Sequence, residues 1–266
     1  MTRSHAISVR EVPPLRAWTE RLNAVRALHA DVLISVYFPF LVPPDMLDIF
    51  GSRAVNLHPA PLPRYRGPTP IYAMILDGSI TTDATMTLHV MSTGFDTGDI
   101  IANESIVFPE NRNLRRLSLA TAKAGRALMS EALPAYLDGR IAARPQDEGQ
   151  ASYVRITQAD LALRPHLDRQ AMQLRCDTIG RRRGLGIAGL SGVRVAGFDA
   201  EIGPATGAKP RAGPFSVEMD AADRRVRLVR RRSWSSLIRR VSDLAILASD
   251  RDENRPKRAS FAPKRG

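Results

Sequence analysis

Between His58 and Pro70 the sequence HPAPLPRYRGPTP sets five prolines and one glycine within thirteen residues. Proline fixes φ and lacks a backbone donor, so this stretch can be neither a regular helix nor a central strand. It directly follows a short apolar run, Ala54 to Leu57, which reads as a strand. The chain therefore leaves a strand end through a stiff loop, and a stiff loop at a strand end is a good frame for a site.

The elements on either side read as strand alternating with helix. Leu15, Trp18, Leu22, Val25 and Leu28 recur three or four apart, which predicts an amphipathic helix over Leu15 to His29. Ala30 to Tyr37 (ADVLISVY) is nearly continuous in apolar residues and is expected as a strand buried on both faces of a sheet. Pro43 and Pro44 open a short helix, PPDMLDIF, that Gly51 ends. Ile71 to Leu76 is expected to be helical before an Asp77-Gly78 turn. Strands are expected at Thr85 to Met91 and Ile100 to Phe108, and a helix at Leu114 to Leu133 with Asn113 as its N-cap. The pattern implies an α/β sheet.

Composition shifts at Arg144 to Ala151 (RPQDEGQA), read as a linker. A helix at Asp168 to Ile179 and strand-like pieces at Val193 to Phe198, Phe215 to Met219 and Val226 to Val229 follow. The expected organisation is a catalytic domain over 1–145, a small β-rich domain over 152–248, and a disordered basic tail over 249–266.

The formal net charge is +12, with arginine dense at Arg181 to Arg183 and from Arg224 to Arg240. A polyanionic partner is one reading and a solvated arginine face the other. The single cysteine, Cys176, excludes an internal disulfide and a Cys-rich metal site. No convincing metal-ligand cluster stands out, and His89, inside an alternating strand, reads as structural. With neither a transmembrane-length apolar run nor a signal-like N-terminus, the expected compartment is the cytoplasm, without membrane association.

Chemistry concentrates at two places. Asn56 and His58 stand two apart at a strand end, so their side chains leave the same face. Some forty positions later, Gly94-Phe95-Asp96-Thr97-Gly98-Asp99 sets a carboxylate among glycines. Ligands of open α/β sheets bind at the carboxyl ends of strands, which is where Asn56 and His58 fall.

Together, NLHPAPLPRYRGPTPI and GFDTGDI resemble the signature of the formyltransferases that use 10-formyltetrahydrofolate. The resemblance extends from Ala30 to Phe108 and more weakly to Tyr153. It implies a Rossmann-like α/β sheet with a small β-rich C-terminal domain, and formyl-folate as donor. It implies Asn56, His58 and Asp96 as the catalytic three. It further implies Ala60, Pro61, Leu62 and Pro63 as a folate-contacting loop, with Ala60 and Pro61 departing from the family's wording, and Phe38 to Leu41 as lining of the pterin pocket. Asn56 and a protonated His58 would donate to the formyl oxygen, while Asp96 accepts the amine's proton and raises the pKa of His58.

Relative to that family the first strand, helix and second strand are not in evidence ahead of Leu15. The sheet is therefore expected to be N-terminally truncated, with an exposed apolar edge that a second chain could complete. A wrongly chosen start, a decayed gene product and a completing partner are the alternatives. The expected acceptor is methionyl-tRNA, held partly through the basic C-terminal half. An amino-sugar nucleotide or other small amine, water in a formyl-folate hydrolase, and an inactive or RNA-binding remnant are the competing readings.

Overall fold

A computed structural model describes residues 22–38, 40–108, 113–180 and 184–231. The start of the first expected helix, the Arg181 to Arg183 cluster, the arginines beyond Arg231 and the expected tail lie outside the described residues.

Two sheets organise the chain. The first contains β1 (Leu33–Val36), β2 (Ala54–His58), β3 (Thr85–Val90) and β4 (Ile100–Ser105), in that order across the sheet. Strands β1 and β2 run parallel, whereas β2–β3 and β3–β4 are antiparallel. Helix α1 (Leu22–Arg26) precedes β1, α2 (Pro44–Phe50) and α3 (Pro70–Asp77) follow β1 and β2, and α4 (Leu114–Ala127) follows β4. The second sheet is antiparallel throughout, ordered β5 (Leu185–Ile187), β6 (Leu190–Pro204), β9 (Arg224–Arg230), β8 (Ser216–Asp220) and β7 (Arg211–Ala212).

The helix ends follow from the sequence chemistry. Helix α2 begins at Pro44, where a missing N–H costs nothing, and stops at Gly51, whose φ of 53° a side chain would disfavour. The Asn113 side chain accepts from Arg116 N at 2.8 Å and so caps α4, a contact worth about 1 kcal/mol. Leu117, Thr121 and Ala124 put one buried stripe of α4 against the sheet, and Leu128 extends it into a π-turn, Leu128–Ala132, that continues as α5 (Leu133–Leu137). Helix α6 (Arg169–Arg175) starts at Asp168, which accepts from Ala171 N at 2.7 Å.

One expectation fails at β1. Ile34 is 43% exposed and Val36 49%, so the strand is not buried on both faces. It is the outer strand of its sheet, and among the described residues nothing covers that side; an apolar run marks a strand without revealing whether both its faces are covered. Strand β6 is much longer than its expected piece. Register shifts near Gly197 and Gly203 break its alternation and hide its length from a reading of the pattern.

Buried residues of both sheets and of the segments packed on them, from Val55, Met74 and Leu88 to Leu163, Met219 and Leu228, belong to one contiguous core. The fold turns its sequence-distant halves into a common support for the end of β2.

Candidate active site

A cleft of about 450 Å³ opens at the carboxyl ends of β1 and β2. Tyr37, Phe38, Phe40, Leu41 and Val42 line one side, immediately beyond β1. The end of β2, the Gly67–Tyr72 segment leading into α3, the end of β3 and the Gly94–Asp96 turn form the rest. Tyr37 donates to Thr121 Oγ1 at 2.8 Å, tying the aromatic side to α4. Phe38 and Phe40 pack edge to face with centroids 5.6 Å apart.

On the floor, Asn56, His58 and Asp96 come together with His89. Asn56 Nδ2 donates to Asp96 Oδ1 at 3.1 Å, and His58 Nδ1 lies 3.4 Å from the same oxygen. Asp96 Oδ2 accepts from Gly67 N at 2.8 Å. Asn56 Nδ2 is also 3.1 Å from His89 Nε2, whose Nδ1 is 2.7 Å from the Val90 carbonyl.

These distances fix the tautomers. A carbonyl only accepts, so His89 carries its hydrogen on Nδ1 and offers Nε2 as acceptor to Asn56. Asp96 requires a donor from Asn56, which orients the amide, and both amide hydrogens are then engaged. His58 Nε2 lies 2.9 Å from the Tyr65 carbonyl and carries the hydrogen there, leaving the Nδ1 lone pair facing Asp96. His89 was expected to be structural. Its register opposite Asn56 on β3 makes it a site residue, a pairing that no spacing in the sequence announces.

Burial decides the protonation at rest. It pushes the His58 imidazole below its ordinary value, and the opposing pull of the Asp96 charge does not overcome it. The Asp96 charge pulls upward as expected, but with the ring only 4% exposed desolvation is the larger influence. Burial alone would raise the Asp96 carboxyl. Its interactions with His89 and His58 and the Gly67 N–H outweigh that and hold it below the usual carboxylate range.

The Asp96 turn is sterically demanding. Asp96 itself has φ of 55°, a left-handed conformation that costs a non-glycine residue about 1–3 kcal/mol and recurs at functional sites. A Cβ on Gly98 would meet the Val90 carbonyl oxygen at 1.9 Å, so the turn lies against β3 only with glycine there. Gly67, with φ of 107°, would bring a Cβ to 2.6 Å from the Val154 carbonyl.

The expected linker is bound to this site. Arg66 N donates to Ser152 O at 2.8 Å and Val154 N to Arg66 O at 2.7 Å. The buried Arg66 guanidinium reaches both Glu148 oxygens, at 2.9 and 2.6 Å, and Gln146 Oε1 at 2.8 and 3.1 Å. Gln146 Nε2 donates to the carbonyls of Asp96 and Gly98, each at 2.7 Å.

Of the other expected residues, Phe38 and Leu41 line the cleft, and Ala60, Pro61, Leu62 and Pro63 do not. Ala60 and Leu62 are buried in the core, where the Ala60 carbonyl accepts from Thr87 Oγ1 at 2.7 Å. Their apolarity serves packing beneath the cleft, and the loop's continuation, Gly67 to Pro70, reaches the wall instead.

By sequence, residues 13–133 match the family model described as formyl transferase. The likeness to formyl transferases is thus concentrated in the half of the chain that carries the cleft. The methionyl-tRNA formyltransferase of Heliobacterium modesticaldum is 35% identical over 134 residues, covering 50% of this chain and 42% of that protein. The Streptococcus pyogenes serotype M6 enzyme of the same name is 35% identical over 149 residues, covering 56% and 47%. The chain thus spans less than half the length of either relative.

Solved structures share the fold. HypX from Aquifex aeolicus, in complex with tetrahydrofolic acid, superposes with a TM-score of 0.57 at 19% identity, over 78% of this chain and 36% of that one. The N-formyltransferase from Helicobacter canadensis, solved with folinic acid and dTDP-3-aminofucose, gives a TM-score of 0.53 at 18% identity, over 75% and 73%. The architecture around the cleft is accordingly Rossmann-like α/β, followed by a separate antiparallel sheet.

Proposed function

We propose that this chain transfers a formyl group from a formyl-folate to the amino group of methionyl-tRNA. The carrying observation is the hydrogen-bonded cluster of Asn56, His58, His89 and Asp96 at the bottom of a cleft with an aromatic wall. A cleft of about 450 Å³ with an apolar wall and a few convergent polar groups suits a folate-sized ligand.

When bound, the donor supplies an electrophilic formyl carbon whose oxygen gains negative charge as an amine attacks. Asn56 can turn one amide hydrogen toward that oxygen. Giving up the His89-directed one sacrifices a neutral hydrogen bond and keeps the charge-assisted bond to Asp96. Asp96 accepts the proton that the amine must lose, directly or through a water, and can pass it to His58 Nδ1. The resulting imidazolium has acceptors at both nitrogens, the Tyr65 carbonyl at 2.9 Å and Asp96 at 3.4 Å. The returning proton neutralises the departing amine of the donor.

Methionyl-tRNA is favoured as acceptor because the relatives at 35% identity carry that name. Charge adds less than the sequence suggests. On β9, Arg225 pairs with Asp220 at 2.9 Å and Arg227 with Glu218 at 3.5 Å, so part of the arginine face is internally compensated. An amino-sugar nucleotide is the competing acceptor, as in the Helicobacter canadensis complex with dTDP-3-aminofucose.

Purified protein given 10-formyltetrahydrofolate with methionyl-tRNA and an amino-sugar nucleotide in parallel tests both. Turnover with the tRNA that disappears in His58→Ala supports the proposal, and turnover with the sugar alone reassigns the acceptor. Folded protein inactive with both acceptors refutes it.

A further inference from the structure

From the hydrogen bonding of the segment around Gln146 we infer that Gln146 is a positioning residue for the reaction, holding Asp96 in its working geometry without touching the reacting groups. This rests on the formyl-transfer reading above.

Polarity alone orients the Gln146 amide. Arg66 can only donate, so the oxygen faces Arg66 Nε and Nη2, and the nitrogen faces the carbonyls of Asp96 and Gly98. All four hydrogen-bonding positions of the amide are used. Arg66 is in turn held by Glu148, and the next residue, Gly67, donates its N–H to Asp96 Oδ2 at 2.8 Å.

The contacts close a ring. It runs from the Asp96 carboxylate through Gly67 N, the Arg66 guanidinium and Gln146 back to the Asp96 carbonyl. Asp96 is thereby gripped at both its main chain and its side chain, with φ of 55° fixed from outside the turn. No side chain within the turn itself touches the Asp96 carbonyl. Fifty residues away in sequence, Gln146 supplies that contact, and its Nε2 has no hydrogen left for a ligand. Its effect on chemistry must therefore pass through Asp96. A small displacement there matters, because a misplacement of about 1 Å can cost about a hundredfold in rate.

Gln146→Glu separates positioning from a merely structural tie. Glutamate keeps the volume and strengthens the pair with Arg66, yet it has no hydrogen for the two carbonyls at neutral pH. Gln146→Met removes the donors without adding charge and covers the case in which Glu disturbs the fold.

Three readouts are needed: Tm, the kcat against KM split for 10-formyltetrahydrofolate, and the titration of His58 by imidazole NMR, assigned by its loss in His58→Gln. With Tm near wild type, kcat is expected to fall about tenfold to a hundredfold with donor KM little changed. The His58 midpoint is expected to move down, because the Asp96 charge that pulls it up is no longer fixed beside it. A folded variant with unchanged kcat, or with an unchanged His58 titration, overturns the inference. If wild type transfers no formyl group, the proposed reaction fails by itself, and the His58 titration still decides whether Gln146 sets Asp96.

Discussion

Asp96→Asn isolates the charge at the centre of the cluster while keeping its shape. The carboxylate accepts from Gly67 N at 2.8 Å through one oxygen and from Asn56 Nδ2 at 3.1 Å through the other. An amide has a single oxygen and can serve only one of them. With the oxygen toward Gly67, its NH₂ faces the Asn56 amide donor. With the oxygen toward Asn56, its NH₂ faces the Gly67 N–H. Either way one charge-assisted hydrogen bond is lost, about 1.5–3 kcal/mol, and the first arrangement recovers part of that by donating to His58 Nδ1. The expected loss of stability is therefore about 1–2 kcal/mol, read as a lower urea midpoint at unchanged slope. The rate suffers more, because the variant can neither accept the amine's proton nor stabilise an imidazolium. A general base contributes about a hundredfold to ten-thousandfold, and kcat should fall within that range with the donor still bound. Single-turnover formyl transfer, with donor affinity measured separately by equilibrium binding, is the assay. A folded Asp96→Asn protein whose rate stays within about tenfold of wild type would refute the assignment of Asp96 as proton acceptor.

Gly98→Ala should displace the Asp96 turn, because the new Cβ would start 1.9 Å from the Val90 carbonyl oxygen and backbone cannot yield as a side chain does. A destabilisation of about 1–3 kcal/mol together with a rate loss of about a hundredfold is expected, and a variant equal to wild type in both Tm and kcat would contradict the close approach. Acid should weaken the fold through both titrating site residues. The Asp96 carboxyl is lower in the folded chain than in the unfolded one, so its contribution is present above the unfolded value and lost as pH falls through the folded value. The His58 ring is also lower when folded, so the unfolded chain binds a proton first and stability declines as pH drops below 6.5 toward the folded value. His58→Gln should flatten the dependence of the urea midpoint across that upper window, and a profile parallel to wild type would contradict a buried neutral His58.

What the sequence made legible was local. Asn56 and His58 share a strand face by alternation, and Asp96 is marked by its glycines. Pro44, Gly51 and Asn113 act within one helical turn of their own positions. What it hid depended on contacts between distant segments or on the absence of water. Gln146 and Glu148 sit in a polar, proline-containing stretch whose composition suits a linker, and their partner Arg66 is about 80 residues away. His89 alternates like any strand residue, and only the β2–β3 register sets it opposite Asn56. Ala60 to Pro63 have the apolar character of a ligand-contacting loop, but the same character suits burial, and Ala60 and Leu62 are buried. The direction of the His58 shift is hidden for a related reason. A neighbouring carboxylate can be inferred from a motif, whereas desolvation depends on every segment closing over the ring. The consequence is chemical: burial favours the uncharged ring, and a proton arriving at His58 in the proposed reaction finds Asp96 and the Tyr65 carbonyl already in place to hold it.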